Sequence, residues 1–161
     1  MVTLARKANQ FRNLKELEQY IKSHVPENIM QGRDVENLLK KEMHQAVYDV
    51  VYAFYEPETY ERRGNRGGLA DMRTMEITDA LMKNDTFIMV FQNLSEGNDT
   101  LSEQYLTDTI EEGISKNWEK EGEWSQPRPF VYETAEAIRD NPKPLINAIK
   151  KACIKCGFKV K

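Results

Sequence analysis

The longest regular run of apolar positions in this chain is Val35, Leu38, Leu39, Met43, Ala46, Val47, Val50, Val51 and Phe54. Steps of three, one and four recur along it, which turns these residues to one face of an α-helix. Pro57 cannot donate the next backbone hydrogen bond and biases Glu56 away from helical angles. The spacing therefore predicts one long helix from Asp34, its expected cap, to Tyr55. The rest of the chain is organised around it.

Upstream, Asn13 with Glu16 three residues later is a capping pattern. It predicts a helix with Leu14, Leu17, Ile21 and Val25 inward, closed by Pro26 and separated from the long helix by Gly32. Residues 1–12 are mixed and basic (Arg6, Lys7, Arg12), and read as a short strand or a mobile arm. Beyond Leu69 the period changes to two. Met75 and Ile77 alternate with polar residues, Lys83-Asn84-Asp85 reads as a turn, and Phe87, Met89 and Phe91 oppose Ile88 and Val90. This predicts a β-hairpin pairing 70–81 with 86–93. Its second strand is apolar on both faces and is expected to be central or covered.

Thr100 with Glu103 repeats the capping pattern and opens a helix with Leu101, Tyr105, Leu106, Ile110 and Ile114 inward. Gly113 is expected to weaken its C-terminal half. A further helix starts at Pro127-Arg128-Pro129-Phe130, with Phe130, Val131, Ala135 and Ile138 inward. Asn141-Pro142 breaks it and starts the last helix, which buries Leu145, Ile146, Ile149, Ala152 and Cys153. Gly157 suits the position just past that helix, and Phe158 with Val160 reads as a final strand. The fold class is α+β: a small antiparallel sheet, formed by the hairpin near 70–93 plus a short terminal strand, packed against several amphipathic helices. Residues 1–161 form a single domain, with 57–68 and 117–126 as exposed loops.

Composition narrows the function. A chain of 161 residues can bury a core without disulfides or metals. Lysine plus arginine total 23 against 26 acids, a net charge of −3, which argues against a dedicated nucleic-acid binder. Charge is uneven locally: Leu94–Trp124 holds nine acids and two lysines, whereas Pro142–Lys161 holds six lysines and no acid. These are either two solvated faces or complementary surfaces of neighbouring subunits. No apolar run approaches the ~20 residues of a membrane span, the N-terminus lacks a signal peptide's apolar core, and a cytoplasmic protein is expected.

Candidate chemistry is sparse. Cys153 and Cys156 form one Cys-x-x-Cys without the second ligand pair of a zinc site or the strand–helix context of a thioredoxin motif, so free thiols are expected. Glu111 and Glu112 are adjacent and point in different directions on a helix, so they form no acid–base dyad. His24 is expected at a helix end and His44 at a surface boundary. Arg62, Arg63 and Arg66 lie among Gly64, Gly67 and Gly68 without the lysine–serine/threonine ending of a phosphate loop. They read as a flexible exposed loop, or as a basic loop meeting a phosphate backbone or an acidic neighbour. Trp118 and Trp124 are either anchors on the core or contact residues for a partner. No cofactor, metal or catalytic role is expected.

Several short motifs, in order, resemble the tail-component family of tailed bacteriophages, the head–tail joining and tail-completion proteins. They are Tyr105, Glu111-Glu112-Gly113 and Arg128-Pro129-Phe130, preceded by Tyr55, Tyr60, Gly64 and Leu69 after a long helix. The element order matches over residues 14–160, although the arginine–glycine and tryptophan loops are longer than the family's turns. The resemblance implies helices on a small antiparallel sheet and a structural role in the virion neck, with the host cytoplasm as the place of assembly. It also implies other neck, connector or tail proteins as partners and a homo-oligomeric ring with no membrane contact. Interface candidates are then Arg62, Arg63, Arg66, Trp118, Trp124, Arg128, Lys150, Lys151 and Lys155, with DNA in the channel as a further partner of the arginine loop. Two other classes remain open: a small cytoplasmic adaptor or regulator, and a metal-dependent hydrolase or nuclease.

Overall fold

The computed structural model describes residues 11–54, 56–57, 61–97, 106–113, 126–155 and 157–158. Among them are five α-helices, α1 (Leu14–Gln31), α2 (Arg33–Ala46), α3 (Leu106–Glu112), α4 (Phe130–Asp140) and α5 (Lys143–Lys155), and one hairpin of β1 (Met75–Lys83) and β2 (Thr86–Asn93). The class is α+β, with the hairpin packed against α1.

Helix α2 joins two cores. Its first half puts Val35 and Leu39 against Ile29 of α1 and Ala148 and Ala152 of α5, with Ile77, Phe87 and Met89 of the hairpin packed alongside. Its second half puts Met43 and Ala46 into a cluster with Leu69, Ala70, Met75, Ile110 and Phe130. Phe91 packs against both clusters.

The long helix is not α-helical throughout. After Ala46 the chain widens into a π-helical stretch, Val47–Tyr52, seen in the bond from the Ala53 amide to the Tyr48 carbonyl at 2.9 Å. Val47, Val50 and Val51 are β-branched and crowd the preceding α-helical turn, which lowers the preference for that geometry. Val47 and Val51 stay buried, whereas Phe54 is exposed, contrary to the sequence expectation. Regular structure has ended before Pro57 is reached, and Tyr55 lies outside the described residues. Asp34 is not the cap of α2 either. Gly32 holds that position, and Asp34 sits in the first turn.

Pro26 does not close α1, which runs through it to Gln31 with the proline ring buried. Ser23 Oγ donates to the Gln19 and Tyr20 carbonyls, and Asn28 Nδ2 donates to the His24 carbonyl at 2.7 Å. His24 is thus inside the helix, stacked on Tyr20, and not at its end. Asn13 caps as expected, its Oδ1 accepting from the Glu16 amide at 2.9 Å, while Glu16 accepts from the amide of Arg12. Leu14, expected inward, is exposed. The Tyr20 ring also meets Phe11 and Phe158, at 5.1 and 5.7 Å between centroids.

The hairpin turns at Asn84 and Asp85, both with positive φ, the backbone of a type I′ turn. Lys22 reaches the turn and pairs with Asp85 at 3.0 Å. β1 starts at Met75, later than the expected residue 70, because the preceding segment folds into a short 3₁₀ turn, Met72–Thr74. A bulge at Thr78 puts Thr78 and Asp79 on the same side. Among the described residues β2 pairs with β1 alone and so is not central, and only its inner face is covered: Ile88 and Val90 on the outer face are exposed. The expected terminal strand is not formed at Phe158, and Val160 lies outside the described residues. Instead the chain closes α5 by a Schellman arrangement, with Phe158 N–H to Cys153 and Gly157 N–H to Ile154.

Candidate functional site

Two polar junctions hold the irregular segments to this frame. The first lies between the arginine–glycine loop and the end of β2. Gly67 has φ +84, and a Cβ on Gly68 would fall 2.8 Å from the Gly64 carbonyl oxygen, so the chain turns tightly there. The turn brings the buried carboxylate of Asp71 under the Gly67 amide, which donates to it at 2.8 Å. Arg73 donates to the same carboxylate from its backbone amide, from Nε and from a terminal nitrogen, at 3.0, 2.9 and 2.7 Å. That guanidinium holds the Asp71 carboxyl far below the usual carboxylate range against the opposing effect of burial, and the amides of Arg73 and Gly67 assist.

Next to it, buried Asn93 donates to the Leu69 carbonyl at 2.8 Å and accepts from Ser95 Oγ at 2.6 Å. The same Ser95 hydroxyl lies 3.0 Å from the Gly68 carbonyl, its one proton shared between the two acceptors, and Thr107 on α3 donates to the Asn93 carbonyl. His44 Nδ1 reaches the Ala70 carbonyl at 2.9 Å, so that nitrogen carries the proton. Residues 68–71 are therefore part of the interior. Of the expected 57–68 loop, Glu61, Asn65 and Arg66 are exposed and Gly68 is buried, while residues 58–60 lie outside the described residues.

The second junction joins α3 to α4. Pro129 offers no side chain to cap α4. Glu111 does so from α3, accepting from the amides of Val131 and Tyr132 at 2.9 and 3.1 Å. The Arg128 amide donates to the Ile110 carbonyl at 3.0 Å, and Gly113, at φ +69, turns the chain out of α3. Gly113 thus ends the helix and does not lie inside it. Phe130 is fully buried below this junction.

The sequence candidates are dispersed across the molecule. Arg62 lies over the Tyr52 ring at 4.5 Å, Arg63 donates to the Glu96 carbonyl, and exposed Arg66 pairs with Glu61 at 3.2 Å. Arg128 is buried within the protein and is not a surface contact residue. Lys155 pairs with Asp34 of α2 at 2.7 Å, and that hydrogen bond lowers the Asp34 carboxyl pKa, with Lys151 adding to the effect. Lys150 is half-buried and Lys151 exposed. Trp118, Trp124 and Cys156 lie outside the described residues. Cys153 is a free, half-buried thiol whose pKa burial raises, which disfavours the thiolate. Among the described residues, no three His, Cys, Asp or Glu side chains are grouped to hold a metal ion, and no helix is long and apolar enough to cross a membrane.

Sequence reasoning missed Asp71, Asn93 and Ser95. The signal was present in the Gly67-Gly68 pair, whose close backbone approach requires a partner to approach. It was also present in the polar Asn93 and Ser95 that end an apolar strand.

The model of one protein family matches residues 13–155, from the cap of α1 to the last residue of α5. The chain belongs to the YomN family. No curated protein and no solved structure matches it. Every helix and strand described above falls inside the YomN match, so the family is defined over the whole frame and both junctions.

Proposed function

We propose that this protein is a structural virion component of a tailed phage or prophage, acting at the head–tail junction in neck assembly or tail completion. The observation that carries the reading is the α3–α4 junction. Two of the short motifs that resemble the tail-component family, Glu111-Glu112-Gly113 and Arg128-Pro129-Phe130, meet there. Glu111 caps α4, Gly113 ends α3, Arg128 bonds back to Ile110, and Phe130 fills the space beneath. Such mutual dependence supports reading the motifs as one inherited unit. In this role the protein works through surfaces and not through chemistry. Copies assemble head to tail into a ring. The acidic 94–124 segment of one copy meets the basic α5 of the next, through Lys151 and its neighbours. Arg66, the exposed arginine of its loop, faces the DNA channel.

The test is an early stop codon in the gene within its phage or prophage, followed by negative-stain electron microscopy of the lysate. DNA-filled heads and complete tails lying apart are the expected result. Intact infectious virions would overturn the reading and favour a cytoplasmic adaptor.

A further inference from the structure

The outer face of the hairpin is built unlike a solvent face. Leu81 and Ile88 stand directly opposite each other in the register, and Val90 follows Ile88 on the same side. All three are exposed, at 37%, 40% and 39%. The inner face already has its partner in Ile77, Met89 and Phe91 against the helices. A two-stranded hairpin with one face packed ordinarily alternates apolar with polar residues, and β2 does not. Charge about the centre of this face is also ordered: Asp79 lies two residues before Leu81 and Lys83 two residues after it, with Glu76 farther out beyond the bulge. Asp79 and Lys83 are both exposed.

We propose that this face binds the same face of a second copy of the chain, through a two-fold axis running across the strands at the Leu81–Ile88 pair. That axis reverses strand direction. It stacks Leu81 on the partner's Leu81 and Ile88 on the partner's Ile88, and it sets Asp79 against the partner's Lys83 at both ends. An axis along the strands would instead set Asp79 on the partner's Val90 and Lys83 on the partner's Thr86, covering both charges without pairing them. Desolvated unpaired charge is costly, so the first arrangement is selected. A two-fold contact needs a self-complementary patch, and acid and base spaced equally about an apolar centre provide one.

Size sets the strength. Eight or nine residues at about 3.3 Å each, on two strands about 4.8 Å apart, give a narrow face. Two of them bury less than the ~1,200 Å² at which stable complexes begin. The contact is therefore weak and depends on concentration, and it adds avidity when copies are held together. It does not rest on the head–tail reading: purified protein tests the one and virion morphology the other.

Sedimentation equilibrium from about 10 to about 500 µM is the experiment, a range that spans weak association. The wild type should shift from monomer toward dimer across it. Ile88→Asp, and Asp79→Lys or Lys83→Glu alone, should weaken association about tenfold or more, and the Asp79→Lys/Lys83→Glu double variant should recover it. Asp79 and Lys83 are exposed, so thermal melts of their variants should match the wild type, while Ile88→Asp, which also loses its cross-strand pair with Leu81, should still melt in one cooperative transition. A wild type that stays monomeric throughout overturns the proposal. So does a double variant that associates no better than either single one, or Ile88→Asp protein that dimerises like wild type, the result expected of edge-to-edge strand pairing.

Discussion

The carboxylate of Asp71 is buried and still charged because four N–H donors converge on it, from Gly67 and from Arg73. Its work is to fix a turn, and its hydrogen-bonding capacity is consumed in doing so. Asp71→Asn keeps the shape but replaces one acceptor oxygen by a donor facing donors. A loss of about 1–3 kcal/mol in urea unfolding is expected. The pH dependence has a definite sign. The folded pKa of this group is lowered below the unfolded value of 3.8, so its stabilisation is complete above that pH and is lost progressively as pH falls below 3.8. Acid titration of unfolding free energy should show that slope in the wild type and a shallower one in the Asn variant.

At the scale of elements, periodicity carried most of the information. Helix α2 and its inward residues Val35, Leu39, Met43 and Ala46 were legible because one stripe at helical spacing fits no other element. The hairpin, its turn and the two faces of β2 were legible from alternation. What escaped were places where local rules yield to packing. Pro26 reads as a stop, yet the helix continues through it with the ring buried in the fold, so packing offsets the missing backbone bond. The π-helical stretch escaped because its valines satisfy the spacing of an α-helix and a wider turn alike. Capping across elements escaped for a different reason: Glu111 serves α4 from twenty residues upstream of Val131, beyond any local signature. Glu111→Ala should therefore cost about 1–2 kcal/mol by removing the acceptor for two helix N-terminal amides, with Glu111→Gln losing less. Chemical denaturation of the two variants checks the order.

For the molecule as a whole, the decisive feature is that one helix serves both cores and Phe91 touches both. Damage to one should be felt in the other. Leu39→Ala, in the core near α5, should cost about 2–4 kcal/mol and unfold both cores in a single transition. Hydrogen exchange at amides around Ile110 and Phe130 should accelerate together with those of α5, whereas separate transitions would show two independent units. The surfaces offered to a partner were only partly legible. The sequence marks charges without saying which are already engaged, and Lys155 proved to be tied to Asp34, Arg62 to Tyr52 and Arg128 to the interior.

The ring of Tyr20 touches Phe11 and Phe158 as well as the His24 ring stacked on it. An aromatic pair of this kind contributes only about 0.5–1.5 kcal/mol beyond its area, far less than either core. Phe11 and Phe158 can therefore leave Tyr20 at a small cost, which frees the two flanks of α1 and α5 while the hairpin and both cores keep their shape.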